Sequence, residues 1–192
     1  MSALKILVIP GSLRTGSLNA KLAATIAVEL AQAGADITRI SLGDFPLPIY
    51  DGDLQAQSGV PKHAVNLKRM MAAHHGVLIV TPEYNSSVPA LVKNTIDWVS
   101  RVQDPHETRG QVFRERVFAI AAASGGRLGG TRALAALRLI LTACHATVVP
   151  NQLALSFADH AYDEMDHLKH PADIEALQAL VRQLIDHSQR MM

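Results

Sequence analysis

The chain of 192 residues has a single cysteine, Cys144, so no disulfide can form within it, and such sparse cysteine usage suits a reducing compartment. It has almost no net charge: 18 Lys and Arg against 17 Asp and Glu leave +1. A balance this close to neutrality gives no sign of the broad basic surface by which a domain holds nucleic acid or an anionic membrane. No apolar run approaches the roughly 20 residues of a membrane span. The opening "MSALKILVIPGS" carries one lysine and breaks at Pro10 and Gly11, which is too short for the core of a signal peptide. There is no HExxH pattern, no internal repeat, no low-complexity tract and no linker to divide the chain. The expectation is one soluble, cytoplasmic domain spanning 1–192, whose 48% hydrophobic content can fill a single core.

What is present is an alternation of short apolar runs with amphipathic stretches. "LKILVIP" (4–10), "GVLIVTP" (76–82), "RVFAIAAAS" (116–124) and "ATVVP" (146–150) are apolar on both faces, as strands covered on both sides are. "ADITRISL" (35–42) alternates imperfectly and reads as a strand nearer an edge. Helices are expected over 19–33, with Leu22, Ile26 and Leu30 inward; over 61–74; over 89–101, opened by Pro89; from Gly129 or Gly130 to Ala143; and from Pro171 onward. The segment 43–61, with three prolines and three glycines, reads as a long loop. About five strands and five helices in alternation imply a parallel sheet with helices on both faces.

In open sheets of this kind ligands lie beyond the carboxyl ends of the strands, where the strand order reverses. Three segments fall at such ends: 11–19, 82–89 and 124–132. The first, "GSLRTGSLN", has the glycine spacing of a P-loop, but Ser17 and Leu18 follow Gly16 where that motif needs Lys and then Ser or Thr. Ser12 and Leu13 after Gly11 break the dinucleotide pattern GxGxxG. Two readings remain: an ordinary turn with a Ser or Asn cap, or a loop for a terminal monophosphate. Ser12, Ser17 and Asn19 would supply neutral donors to a phosphate, Arg14 a charged fork, and the following helix its N-terminal N–H groups.

"TPEYNSSVPALVKNTIDWVSR" (81–101) offers Pro82, Tyr84 and exposed backbone as a flat wall for a planar ring. Leu91, Thr95 and Trp98 read as the core face of its helix, and Asn94 and Asp97 as local caps or pairs. "SGGRLGGTRA" (124–133) carries four glycines, more than a strand-to-helix turn needs. Arg127 and Arg132 could be solvated or face an anion.

In this order and spacing the three segments resemble the NADPH-dependent FMN reductase family, whose members include quinone, chromate and azo-dye reductases. The likeness runs over about residues 4–150. It implies a flavodoxin-like three-layer α/β fold with a five-stranded parallel sheet of order 2-1-3-4-5. It implies that Ser12, Arg14, Ser17 and Asn19 hold the FMN phosphate, with Gly11 and Leu18 in the same loop. Pro82, Glu83, Tyr84 and Asn85 would border the isoalloxazine, and Ser124, Gly125 and Gly126 would lie near the far end of the ring. The reaction implied is hydride transfer from NADPH, or NADH, to FMN, then two-electron reduction of a small-molecule acceptor by alternating occupancy of one site. The alternative is a non-enzymatic electron carrier, against which the +1 charge stands, since carriers of this fold are usually strongly acidic. No acid–base pair or triad is visible, as expected when the cofactor does the chemistry.

A homodimer or homotetramer is also implied, with Trp98, Arg101 and the loop 102–115, which carries Arg109 and Arg114, as a candidate contact covering the flavin edge. Cys144 falls on the stripe Leu134, Leu137, Leu141 and reads as a buried small hydrophobe. His160, His167 and His170, among Asp159, Asp163 and Asp166, lack a metal-ligand spacing.

Overall fold

The computed structural model describes residues 3–192. Its elements run β1 (Lys5–Pro10), α1 (Leu18–Gln32), β2 (Asp36–Arg39), a 3-10 turn (Leu42–Asp44), α2 (Gly52–Ser58), α3 (Lys62–Ala72), β3 (Gly76–Val80), α4 (Ala90–Val99), α5 (Gln111–Arg114), β4 (Val117–Ala123), α6 (Thr131–Ala143), β5 (Thr147–Val148), β6 (Leu153–Leu155) and α7 (Pro171–Arg190). All strand pairs are parallel, in the order β2-β1-β3-β4-β5, with β6 also on β4. This is the flavodoxin-like order, and its reversal lies between β1 and β3.

The period of two in the strands separates two cores. Ile6, Val8, Leu78, Val80, Val117, Ala119 and Ala121 face α1 and α7, where Leu22, Ile26, Leu30, Leu177, Leu180 and Leu184 are buried. Leu7, Ile9, Val77, Ile79, Phe118, Ile120 and Ala122 face α3, α4, α5 and α6. β3 and β4 are buried along their whole length.

Four expectations are corrected. The segment 146–150 is not one buried strand. β5 has two residues, pairs with Val117 and Phe118, and is only partly covered; the chain then bulges through Pro150-Asn151-Gln152 and rejoins β4 at Ala121–Ala123 as β6. Proline cannot donate to a ladder, which explains the break. The loop 43–61 contains the 3-10 turn and α2, which starts where the Asp51 carboxylate accepts from the N–H groups of Asp53 and Leu54. The core face of α4 is Val92, Ile96, Trp98 and Val99, while Leu91 and Thr95 are half-buried. Cys144 is likewise half-buried, at the C-cap of α6, and burial pushes its thiol pKa up.

Candidate active site

At the carboxyl edge, the Gly11 N–H donates to the Val80 carbonyl at 2.8 Å, carrying the β1–β3 ladder one residue past the strand. A Cβ on Gly11 would stand 2.5 Å from Val92 Cγ2, so the close approach of α4 requires glycine here. The chain then turns. The Ser17 N–H donates to the Arg14 carbonyl at 3.1 Å, and the turn needs Gly16 at φ +68°. Ser17 caps α1, its Oγ accepting from the Ala20 N–H at 3.3 Å. The backbone N–H groups of Ser12, Leu13, Thr15, Gly16, Leu18 and Asn19 have no partner among the described residues. They belong to the loop that leads into the positive end of α1. Arg14 is exposed; its guanidinium donates only to the Gly16 carbonyl (3.3 Å) and pairs with no carboxylate among the described residues.

Asn19 departs from its expected role. Its carboxamide donates to the Ala123 carbonyl at 2.9 Å and accepts from the Ala123 N–H at 2.8 Å. Both ends of the side chain are engaged in the interior, so Asn19 offers the loop only its backbone N–H.

After β3, Thr81 and Pro82 are buried and the chain folds into a tight antiparallel turn. Tyr84 and Ser87 exchange backbone hydrogen bonds at 3.0 and 3.1 Å, with Asn85 at φ 50° and Ser86 at φ 65°. Two left-handed central residues define a type I′ turn, whose twist suits a short hairpin. It projects Tyr84 and Asn85 into solvent. Glu83 points the other way, to α6. Its carboxylate accepts from the Arg132 guanidinium and from the N–H groups of Arg132 and Ala133 at 3.0 and 3.2 Å. Burial alone would push this carboxyl up, but these donors hold it below the ordinary carboxylate range. Glu83 therefore caps α6 and neutralises Arg132, tying the second loop to the third.

In the third loop the glycine pairs differ. Gly129 (φ +58°) and Gly130 (φ +88°) are required internally, since a Cβ would lie 2.6 Å from the Ala154 carbonyl or the Ala122 Cβ. Gly125 and Gly126 are exposed, and a Cβ on either would meet nothing closer than 3.6 Å. Ser124 Oγ accepts from the Gly126 N–H at 3.2 Å.

A fourth segment, 156–160 after β6, joins the edge unannounced by any motif. The Phe157 N–H donates to the Gly126 carbonyl (3.3 Å), the Ala158 N–H to the Ser124 carbonyl (3.0 Å), and Ser156 Oγ to the Arg127 carbonyl (2.7 Å). The only sequence signal for it is position: it follows a strand that ends at this edge. Beside the first loop, a cavity of about 350 Å³ is lined by Ser12, Arg39, Ser41 and Asp44. A larger one, about 540 Å³, runs along α1 and α7 instead of over these loops.

Residues 4–160 match the model of the NADPH-dependent FMN reductase family. The chain belongs to that family. The matched span holds all three loops and the 156–160 segment. A quinone reductase of Escherichia coli is 38% identical over 147 residues, 76% of this chain and 73% of that one. An NAD(P)H-dependent FMN reductase of Pseudomonas aeruginosa is 35% identical over 190 residues, 94% of this chain and 97% of that one. Among solved structures, FerB, a flavoenzyme NAD(P)H:(acceptor) oxidoreductase of Paracoccus denitrificans, superposes with a TM-score of 0.80 at 27% identity, over 98% of this chain and 99% of that one. This family member is thus an NAD(P)H-dependent flavin oxidoreductase with FMN as its cofactor. No helix among the described residues is long and apolar enough to cross a membrane.

Proposed function

We propose that the first loop seats the FMN phosphate and that the second and third border its ring. The observation that carries this is the set of six unpartnered N–H groups between Ser12 and Asn19, in the loop that leads into a helix N-terminus, with an Arg14 guanidinium that pairs with no carboxylate among the described residues. A dianionic monophosphate satisfies such a set; a lone serine cap does not need it. Ser17 both caps α1 and stands in the cradle. Pro82, Tyr84 and Asn85 form one wall of the ring site, held there by Glu83, which acts through α6. Ser124, Gly125 and Gly126 form the other. Among the described residues no neighbouring atom requires glycine at 125 and 126, which fits a planar group lying against the backbone.

FMN held there would supply two-electron transfer from NADPH, or NADH, to a second substrate. The chain binds and orients both partners at one open edge, so they alternate there by a ping-pong scheme. Acceptors of the quinone, azo, metal-oxyanion or flavin class fit this, and the relatives named as quinone reductases favour the first. The working form is a cytoplasmic homodimer or homotetramer. Trp98 is not its contact residue: the side chain is buried, packs edge-on against Tyr50 at 5.1 Å, and donates to the Pro48 carbonyl at 2.7 Å. The exposed Arg109 and Arg114 remain available for a contact.

Flavin released by denaturing the purified protein should be FMN. Rates against NADPH at several fixed quinone concentrations should give parallel double-reciprocal lines. Failure to take up FMN overturns the site, intersecting lines overturn the alternation, and a monomer by light scattering overturns the assembly.

A further inference from the structure

Phe157 is a bulky aromatic in a conformation that bulky residues avoid. Its φ is 47°, in the left-handed region where a Cβ crowds the backbone. Folding does not reward this by burial, because 53% of the residue is exposed. Asn or Gly would occupy the same turn at less cost. Its backbone is fixed all the same: its N–H holds the Gly126 carbonyl, its carbonyl accepts from the His160 N–H at 2.9 Å, and the flanking Ser156 and Ala158 bond to Arg127 and Ser124. The residue's backbone is therefore carried at a set position against Gly126. Strain that neighbouring hydrogen bonds maintain, on a residue the core does not use, marks a functional position.

The same edge carries other exposed apolar side chains. Leu13 on the first loop, Tyr84 on the second and Leu128 on the third are 55%, 53% and 47% exposed. Large exposed hydrophobics shared among the loops of one edge form a rim that takes an apolar ligand face. The phosphate cradle is polar, so this rim does not serve the phosphate. It suits the flat face of a molecule resting over the ring site.

We infer that Phe157 is a specificity-determining residue of the acceptor site, presenting its ring to planar aromatic acceptors such as naphthoquinones; this rests on the reading above that 124–126 borders the flavin. Aromatic pairs contribute enough for its loss to raise the KM of such an acceptor by about two- to tenfold. An acceptor without an aromatic face gains nothing from it.

The test compares a naphthoquinone with ferricyanide, using the FMN-loaded protein and its Phe157→Asn and Phe157→Tyr variants. Asparagine tolerates the left-handed backbone, so Phe157→Asn should keep its FMN and a Tm no lower than that of the unaltered protein. Its naphthoquinone KM should rise while the ferricyanide rate holds, and Phe157→Tyr should restore the low KM. Unchanged naphthoquinone kinetics in Phe157→Asn, or equal losses with both acceptors and a lowered Tm, overturn the inference. No turnover by the unaltered protein with either acceptor overturns the oxidoreductase reading itself, and the inference with it.

Discussion

The carboxamide of Asn19, in the first turn of α1, pairs with both the N–H and the C=O of Ala123, the last residue of β4 and 104 positions away. β1 and β4 are separated by β3 in the sheet, so this pair reaches across the point where the strand order reverses. It fixes the loop 11–17 relative to the glycine loop that starts at Ser124. Removing the side chain leaves two backbone groups of a buried residue without partners. Asn19→Ala should cost about 2–4 kcal/mol, the usual penalty for two such groups. Urea unfolding should show a lower midpoint with an unchanged slope. An unaltered midpoint would mean that water replaces the amide without loss.

Arg14 lies at the opposite extreme, exposed and bonded only to its own loop. Arg14→Ala should leave the Tm of the flavin-free protein within the error of measurement. FMN affinity should fall about tenfold or more, as expected for a charge-assisted bond to phosphate. Riboflavin, which lacks the phosphate, should bind both proteins equally. Equal losses for FMN and riboflavin would place Arg14 away from the phosphate.

These two residues show what the sequence made legible. The three buried strands β1, β3 and β4 are continuous apolar runs, and strand–helix alternation suffices to give the layers, while the strand order followed from the resemblance of the three loop segments to the family. Glycines and hydroxyls at the strand ends mark the loops. What pairs with what across the sheet is not written in local pattern. Asn19 and Glu83 looked like ligand groups because they stand in ligand loops, and their partners lie 104 and 49 residues away. α2 was hidden because no residue of it is buried, so it carries no apolar stripe. The 156–160 segment was hidden because, apart from the Ser156 hydroxyl, its contacts with the third loop run through backbone groups, which every residue has.

Glu83 carries a prediction with a pH dependence. Glu83→Ala removes the cap of α6 and the partner of Arg132, at a cost of about 1–2 kcal/mol. The carboxyl is held below its ordinary value of 4.5 in the folded state. Its contribution is therefore complete above that value and is lost as pH falls through the lower folded one. Tm curves of the two proteins should run apart near neutrality and converge in acid. Curves that stay parallel down to acid pH would show that the ionised carboxylate contributes nothing.

His75 acts at the other edge of the sheet. Its Nδ1 accepts from the Lys5 N–H at 2.9 Å, its own N–H donates to the Lys5 carbonyl at 2.9 Å, and its carbonyl accepts from Val117 at 3.4 Å. It thus joins β1, β3 and β4 at their starts. Burial, then the nearby charges of Arg116 and Lys5, with His74, push the imidazole below its ordinary value of 6.5. A proton on Nδ1 would also remove the acceptor that the Lys5 N–H uses. The neutral ring therefore stabilises the fold above 6.5, and that stability is lost as pH falls through the lowered folded value. Asparagine keeps an acceptor without titrating, so His75→Asn should be less stable near pH 7.5 yet lose less Tm than the unaltered protein between about pH 7.5 and 5.5. Far above or below that window the two curves should be parallel. A His75→Asn curve with the same slope throughout would assign the acid sensitivity to other groups.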